Sequence, residues 1–159
     1  MKRGPIGLTA LRDATAAARV QHRERIVAVC EWALAQGRPV LPSHVALIVA
    51  AKASVDSYGD EALDHWTRTG VYGHLYSDCF NWCADRDTRV PVDLPEAVWT
   101  YLHYLHEHGL LTLDSDPLKA LLEPLRCYGG LGPDGTTATW RRVTCRCKVE
   151  YRPPRQPVA

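Results

Sequence analysis

Residues 139–151 read TWRRVTCRCKVEY. The stretch alternates as a strand does, with period two. Val143, Cys145, Cys147, Val149 and Tyr151 fall on one face. Trp140, Arg142, Thr144, Arg146, Lys148 and Glu150 fall on the other. The first set is apolar and predicts a core-facing side. The second is a cationic ladder with an aromatic ring at one end. Arg and Lys two apart on a strand can follow a phosphate backbone, and a neighbouring Trp can stack on a base. A solvated outer face of an antiparallel sheet has the same appearance, because charges discourage edge pairing, and that plainer account is favoured.

Upstream of the strand, GGLGPDG (129–135) is rich in turn residues and predicts a hairpin connection. It lacks the G-K-[ST] of a phosphate loop, and no helix is expected after it. A short strand is expected at Leu125–Tyr128. Downstream, YRPPRQP predicts an extended, mobile tail over 152–159.

The chain has 159 residues and an apolar share of 46%, enough for one domain over 1–159 with its own core. No apolar run reaches membrane-spanning length, and the first residues lack a secretory core. A cytoplasmic location follows, and with it six cysteines expected as thiols or metal ligands rather than disulfides. The net charge of +1 conceals a segregation. Residues 1–38 carry +4, residues 39–138 carry −8 and residues 139–159 carry +5. Basic ends around an acidic middle suit contact with a polyanion, a basic partner for the middle, or packing of the ends on the middle.

About six helices are expected. The first is capped by Thr9 and stopped by Gly37 and Pro39, with Ile26, Val29, Cys30 and Ala33 on one face. Its Ala-rich start belongs to a basic N-terminal arm over 1–20. Pro42-Ser43 opens a second helix, ended by Gly59, with Val45, Ile48, Val49 and Val55 inward. A short third runs from Asp60 through Leu63 and Trp66 to Gly70. From Val71, the residues Leu75, Cys79, Trp82 and Cys83 recur at helical spacing. Asp93 and Glu96 read as a capping box for a fifth helix, with Pro95 in its first turn. Val98, Leu102 and Leu105 form its stripe, and Gly109 with Leu110 forms its stop. Asp116-Pro117 starts a sixth, carrying Leu118, Leu121 and Leu122 and ended by Pro124.

Helices followed by a basic hairpin resemble a winged helix, giving a mostly α fold with a C-terminal antiparallel β-hairpin, loosely winged-helix-like α+β. The segment LHEHGLLTLD (105–114) resembles the end of a recognition helix entering a wing strand. The resemblance implies that the fifth helix enters a DNA groove, yet that helix holds no Lys or Arg, the usual phosphate and guanine contacts.

Chemistry-bearing residues are few. Cys79 and Cys83, one turn apart, can bridge a metal, with His74 as a third ligand and Cys127, Cys145 and Cys147 as distant partners. A regular strand holds Cys145 and Cys147 about 6.5–7 Å apart, too far for one tetrahedral zinc, so packing is preferred and structural zinc is the secondary expectation. His103 lies four residues before Glu107 and invites an acid–base or metal reading, although histidines at a helix end are also favoured by the dipole. No nucleophile–base–carboxylate set or cofactor fingerprint stands out, so no enzyme is expected. The first functional expectation is a non-enzymatic nucleic-acid-associated or regulatory protein using Trp140, Arg141, Arg142, Arg146 and Lys148, helped by Arg19, Arg23 and Arg25. The second is a protein–protein adaptor or inhibitor using the acidic middle with Tyr72, Tyr76, Trp99 and Tyr101. A metal-dependent enzyme or zinc-stabilised module is third.

Overall fold

A computed structural model describes residues 22–55, 63–127 and 130–136 of the chain. The N-terminal arm, the basic strand 139–151 and the tail 152–159 lie outside the described residues, as do the expected stop at Gly59 and cap at Asp60.

The described part is mostly helical. Helix α1 spans Arg23–Ala35, α2 Pro42–Val55 and α3 Arg68–Gly73. A π-helical turn at His74–Asp78 leads into α4, Cys79–Ala84. Helix α5 spans Leu94–Glu107 and α6 Leu118–Cys127. The backbone stays right-handed helical through Gly73, His74, Asp78 and Cys79, so α3, the π turn and α4 form one rod. No strand is assigned among the described residues, and no helix among them is long and apolar enough to cross a membrane.

Two helices occupy the centre. Helix α5 packs on α1, α2 and α6, and α2 packs on α1, α5, α4 and the π turn. Every residue of α2 from His44 to Lys52 is buried. The segment HVALIVAAK is apolar nearly all round, as a helix enclosed by neighbours must be, so α2 is a central element rather than one with a single inward face. In α5 the expected stripe Val98, Leu102 and Leu105 is fully buried, and Trp99, Tyr101 and Tyr104 widen it. A recognition helix needs an exposed face to enter a groove. Helix α5 spends its faces on the core, which corrects the role that the winged-helix resemblance implies for it.

The stop of α5 forms as its sequence predicts. Leu110 N–H donates to Leu105 O at 2.9 Å and Gly109 N–H to His106 O at 3.1 Å, the paired bonds of a Schellman motif. Gly109 supplies the left-handed conformation, with φ +63°. The start differs. Asp93 makes no side-chain cap bond; its Oδ1 faces Nδ1 of buried His44 at 3.6 Å.

Three expected boundaries are corrected. Leu63 is 3₁₀-helical, Asp64–Thr67 leaves the helix, and a new helix begins at Arg68 with Gly70 inside it. Thr67 is the reason: its Oγ1 accepts the Gly70 N–H at 2.9 Å and caps the new helix. The preceding residues are pinned elsewhere, with Asp64 O accepting from Thr112 N and Trp66 O from Asp116 N. Pro124 does not end α6, which continues to Cys127. Proline's missing N–H removes one bond, but Leu121 and Leu125 are both fully buried and hold the turn on the core. Leu125–Cys127 is therefore helix and not the expected strand.

Candidate functional site

Of the residues expected to meet nucleic acid, two are described. Arg23 is exposed on the first turn of α1. Arg25 turns inward. Its Nη1 and Nη2 donate to the two oxygens of Asp64 at 2.6 and 3.3 Å, and Nη1 also donates to Tyr101 Oη at 3.1 Å. The tyrosine hydroxyl in turn donates to Leu63 O at 3.2 Å. Burial opposes the Arg25 charge, but the Asp64 and Tyr101 bonds outweigh it and raise its pKa. Burial above all pushes the fully buried Tyr101 phenol upward. This network ties α1 to the 63–66 segment and α5, which removes Arg25 from the phosphate contacts. Arg19, Trp140, Arg141, Arg142, Arg146 and Lys148 lie outside the described residues.

The expected metal residues Cys79 and Cys83 share the buried side of the rod. The π turn arises because Cys79 N–H donates to His74 O, five residues back. It brings Cys79 Sγ to 3.3 Å from His74 Nε2. His74 is completely buried, edge-on to Trp66 at 5.0 Å between centroids. Burial, with nearby Lys52 adding to it, lowers the imidazole to about 3. Burial likewise raises the Cys79 thiol and pushes the Cys83 thiol up to about 11. Metal ligation and nucleophilic attack need thiolates, and this pocket favours the protonated form. Among the described residues no three His, Cys, Asp or Glu side chains converge as a metal site. Cys145 and Cys147 lie outside the described residues. Cys127, the other expected distant ligand, is the last residue of α6.

One Ser, His and carboxylate set escaped sequence reasoning. His65 Nδ1 lies 3.1 Å from Thr112 Oγ1 and 3.3 Å from Asp114 Oδ1. Ser115 Oγ is 2.8 Å from Thr112 Oγ1, accepts the Trp66 N–H and donates to Asp64 O. A catalytic serine faces Nε2 of its histidine while the acid faces Nδ1. Here the hydroxyls and carboxylate all gather on the Nδ1 side, and the serine is committed to backbone groups. The set fastens 112–116 to 63–66. His103 and His108 are equally committed: Nδ1 of each donates to the carbonyl four residues back, Trp99 O and Tyr104 O, at 2.8 Å. His103 also lies against the Trp99 ring, 4.8 Å between centroids, and burial lowers its pKa.

The least expected arrangement lies at residues 132–136. Arg38 donates from Nη1 to Asp134 O and from Nη2 to Gly135 O, the latter at 2.7 Å. Its guanidinium carbon stands 5.9 Å from the Trp99 ring centroid. Gly135 is seated on that ring, so closely that a Cβ there would come within 2.3 Å of Trp99 Cε2. The Arg38 contacts span 96 and 97 residues of chain, and only the glycine inside a Pro-Asp turn hinted at them.

On the opposite score, aromatic residues expected at the surface divide. Trp99 and Tyr101 are core. Tyr76 is 37% exposed, with the Tyr72 ring 5.0 Å from its own, and Phe80, not among the expected residues, is 55% exposed one turn further along the rod.

No protein-family model matches the chain, and neither the curated proteins nor the solved structures compared with it provide a match.

Proposed function

We propose that this chain is a small non-enzymatic, nucleic-acid-associated or regulatory protein of the cytoplasm, in which a basic C-terminal strand meets the phosphate backbone through Arg141, Arg142, Arg146 and Lys148 and stacks Trp140 on a base. Charge distribution carries the proposal. Residues 22–136 hold nine Lys/Arg against sixteen Asp/Glu, net −7, while residues 1–21 carry +3 and residues 137–159 carry +5. Within the acidic part, Arg25, Arg38, Arg68 and Arg86 already donate to Asp64, to loop carbonyls, to Glu123 and to Trp82 O. A polyanion is repelled by such a body and attracted to its ends. Contacts of this kind fix position on a backbone and confer little sequence choice.

The test is a fluorescence-anisotropy titration of labelled duplex and single-stranded DNA and RNA at low and near-physiological salt. Tight binding with a steep salt slope is expected. No binding at low salt would refute the proposal.

A second reading, an adaptor for another protein, is favoured by the exposed Tyr76 and Phe80. It calls for a stable heterocomplex that survives nuclease treatment. A zinc-stabilised module, the third, requires Cys79, Cys83, Cys145 and Cys147 to converge on near-stoichiometric metal.

A further inference from the structure

We infer that Arg38 and Gly135 are positioning residues for the basic C-terminal segment, pinning its point of departure to the corner between α1 and α5. The inference deepens the nucleic-acid proposal and rests on it for its purpose, though not for its geometry.

Both sides of the clamp are anchored to helices. Arg38 follows the stop of α1, and its own N–H donates to Ala33 O at 2.9 Å. Trp99 belongs to the buried face of α5. The turn between them is closed on itself. Gly132 N–H donates to Thr136 O at 2.8 Å, Gly135 N–H to Gly132 O at 3.0 Å, and Asp134 Oδ1 accepts from Thr136 N and Oγ1 at 3.1 and 2.8 Å. Those Thr136 bonds hold the Asp134 carboxyl below its usual range. A surface turn that only reversed the chain would need neither a forked arginine on two successive carbonyls nor a glycine at φ +76° with its face against an indole.

Chain reach shows what the clamp accomplishes. Trp140 follows Thr136 by four residues, so an extended chain places it within about 14 Å of the clamp. Released there, the chain is next held at Leu131, which is buried and donates to Leu125 O at 3.2 Å. Nine residues then separate that anchor from Trp140, a reach of about 30 Å. The clamp thus halves the reach of the cationic ladder and removes configurations that binding would otherwise have to order. Arg38 acts through the backbone it holds, while its guanidinium stays engaged with Asp134 and Gly135.

The test uses the full chain with Gly135→Ala, Arg38→Met and Arg38→Lys, each shown by circular dichroism to keep its helices. Two readouts apply: tryptic cleavage at Arg141 and Arg142 under native conditions, and duplex affinity across a salt series. Gly135→Ala and Arg38→Met are expected to speed cleavage and weaken binding about five-fold with the salt slope unchanged, because ordering cost changes and phosphate contacts do not. Arg38→Lys, which keeps a donor, should recover part of both. Cleavage at the wild-type rate in both substituted chains overturns the inference, as does wild-type affinity where the parent protein binds duplex. If the parent binds no nucleic acid, the functional proposal fails by itself, and cleavage alone decides the clamp.

Discussion

Nε2 of His74 lies 3.3 Å from Sγ of Cys79, five residues further along a helix that is widened by one π turn to bring them together. Both groups are buried and neutral, and Nδ1 of the same imidazole has no hydrogen-bond partner among the described residues. A buried polar atom in this state is costly, and it becomes costlier if the ring must take a second proton.

Acid should therefore unfold the protein by way of His74. Burial, then Lys52, lowers its pKa from the ordinary 6.5 to about 3. The unfolded chain then takes up the proton first, so the contribution is complete above about pH 6.5 and disappears as pH falls towards 3. At full strength it is of order 5 kcal/mol, of which roughly 2–3 is lost between pH 7 and 4.5. His44, also lowered by burial against the pull of Asp93, acts in the same direction. Urea midpoints at the two pH values should differ clearly in the parent and much less in His74→Phe. An equal drop in both would show that His74 does not carry the effect.

Tyr101→Phe should cost about 1 kcal/mol, because it strips a partner from Arg25 and one of two donors from Leu63 O, which keeps the Trp66 Nε1–H at 3.0 Å. Asp64→Asn should cost a similar 1–2 kcal/mol, since the Arg25–Asp64 pair is partly solvated and worth less than a buried one. Denaturant titration of both variants and their double mutant measures the coupling. Additive losses would mean that the three groups do not form one network.

Charge reversal at Arg142, Arg146 and Lys148 should weaken duplex binding and make the logarithmic salt slope shallower by roughly 3. Arg25→Met should leave both nearly unchanged, because its guanidinium is occupied by Asp64 and Tyr101. Anisotropy titrations that rank the variants in the reverse order would place the phosphate contacts on the helical body instead.

Cys79 and Cys83 should resist alkylation in the folded protein and react on unfolding, since both are buried and protonated. Time-resolved mass spectrometry with and without urea reads the rates. Protein prepared without added metal should hold less than about a tenth of an equivalent of zinc or iron. Rapid native labelling, or near-stoichiometric metal, would reverse this account of the cysteines.

Phe80→Ser should change stability by less than about 0.5 kcal/mol, because the ring is mainly exposed. If a partner protein docks on this rod, the same substitution should abolish the heterocomplex. A complex recovered unchanged would direct attention away from Tyr76 and Phe80.

Local signals were legible in the chain itself. The inward stripes of α1 and α5, the start of α2 at Pro42 and the stop at Gly109 depend on spacing and on bonds within a few residues. So does the shared face of Leu75, Cys79, Trp82 and Cys83. The sequence also determined, by itself, the segregation of charge between body and ends.

Tertiary structure decided what these elements do together. Position and not pattern made α5 a central helix, because burial on several sides depends on which neighbours close around it. Pro124 reads as a stop until Leu125 is seen seated in the core. Asp93 reads as a cap, yet its carboxylate makes no cap bond and stands 3.6 Å from His44 Nδ1. Arg25 reads as a phosphate contact until Asp64, thirty-nine residues away, holds it. Arg38 meets Gly135 across nearly a hundred residues. A side chain's partner is chosen by distance in space, and for these residues no local rule of spacing contains that distance.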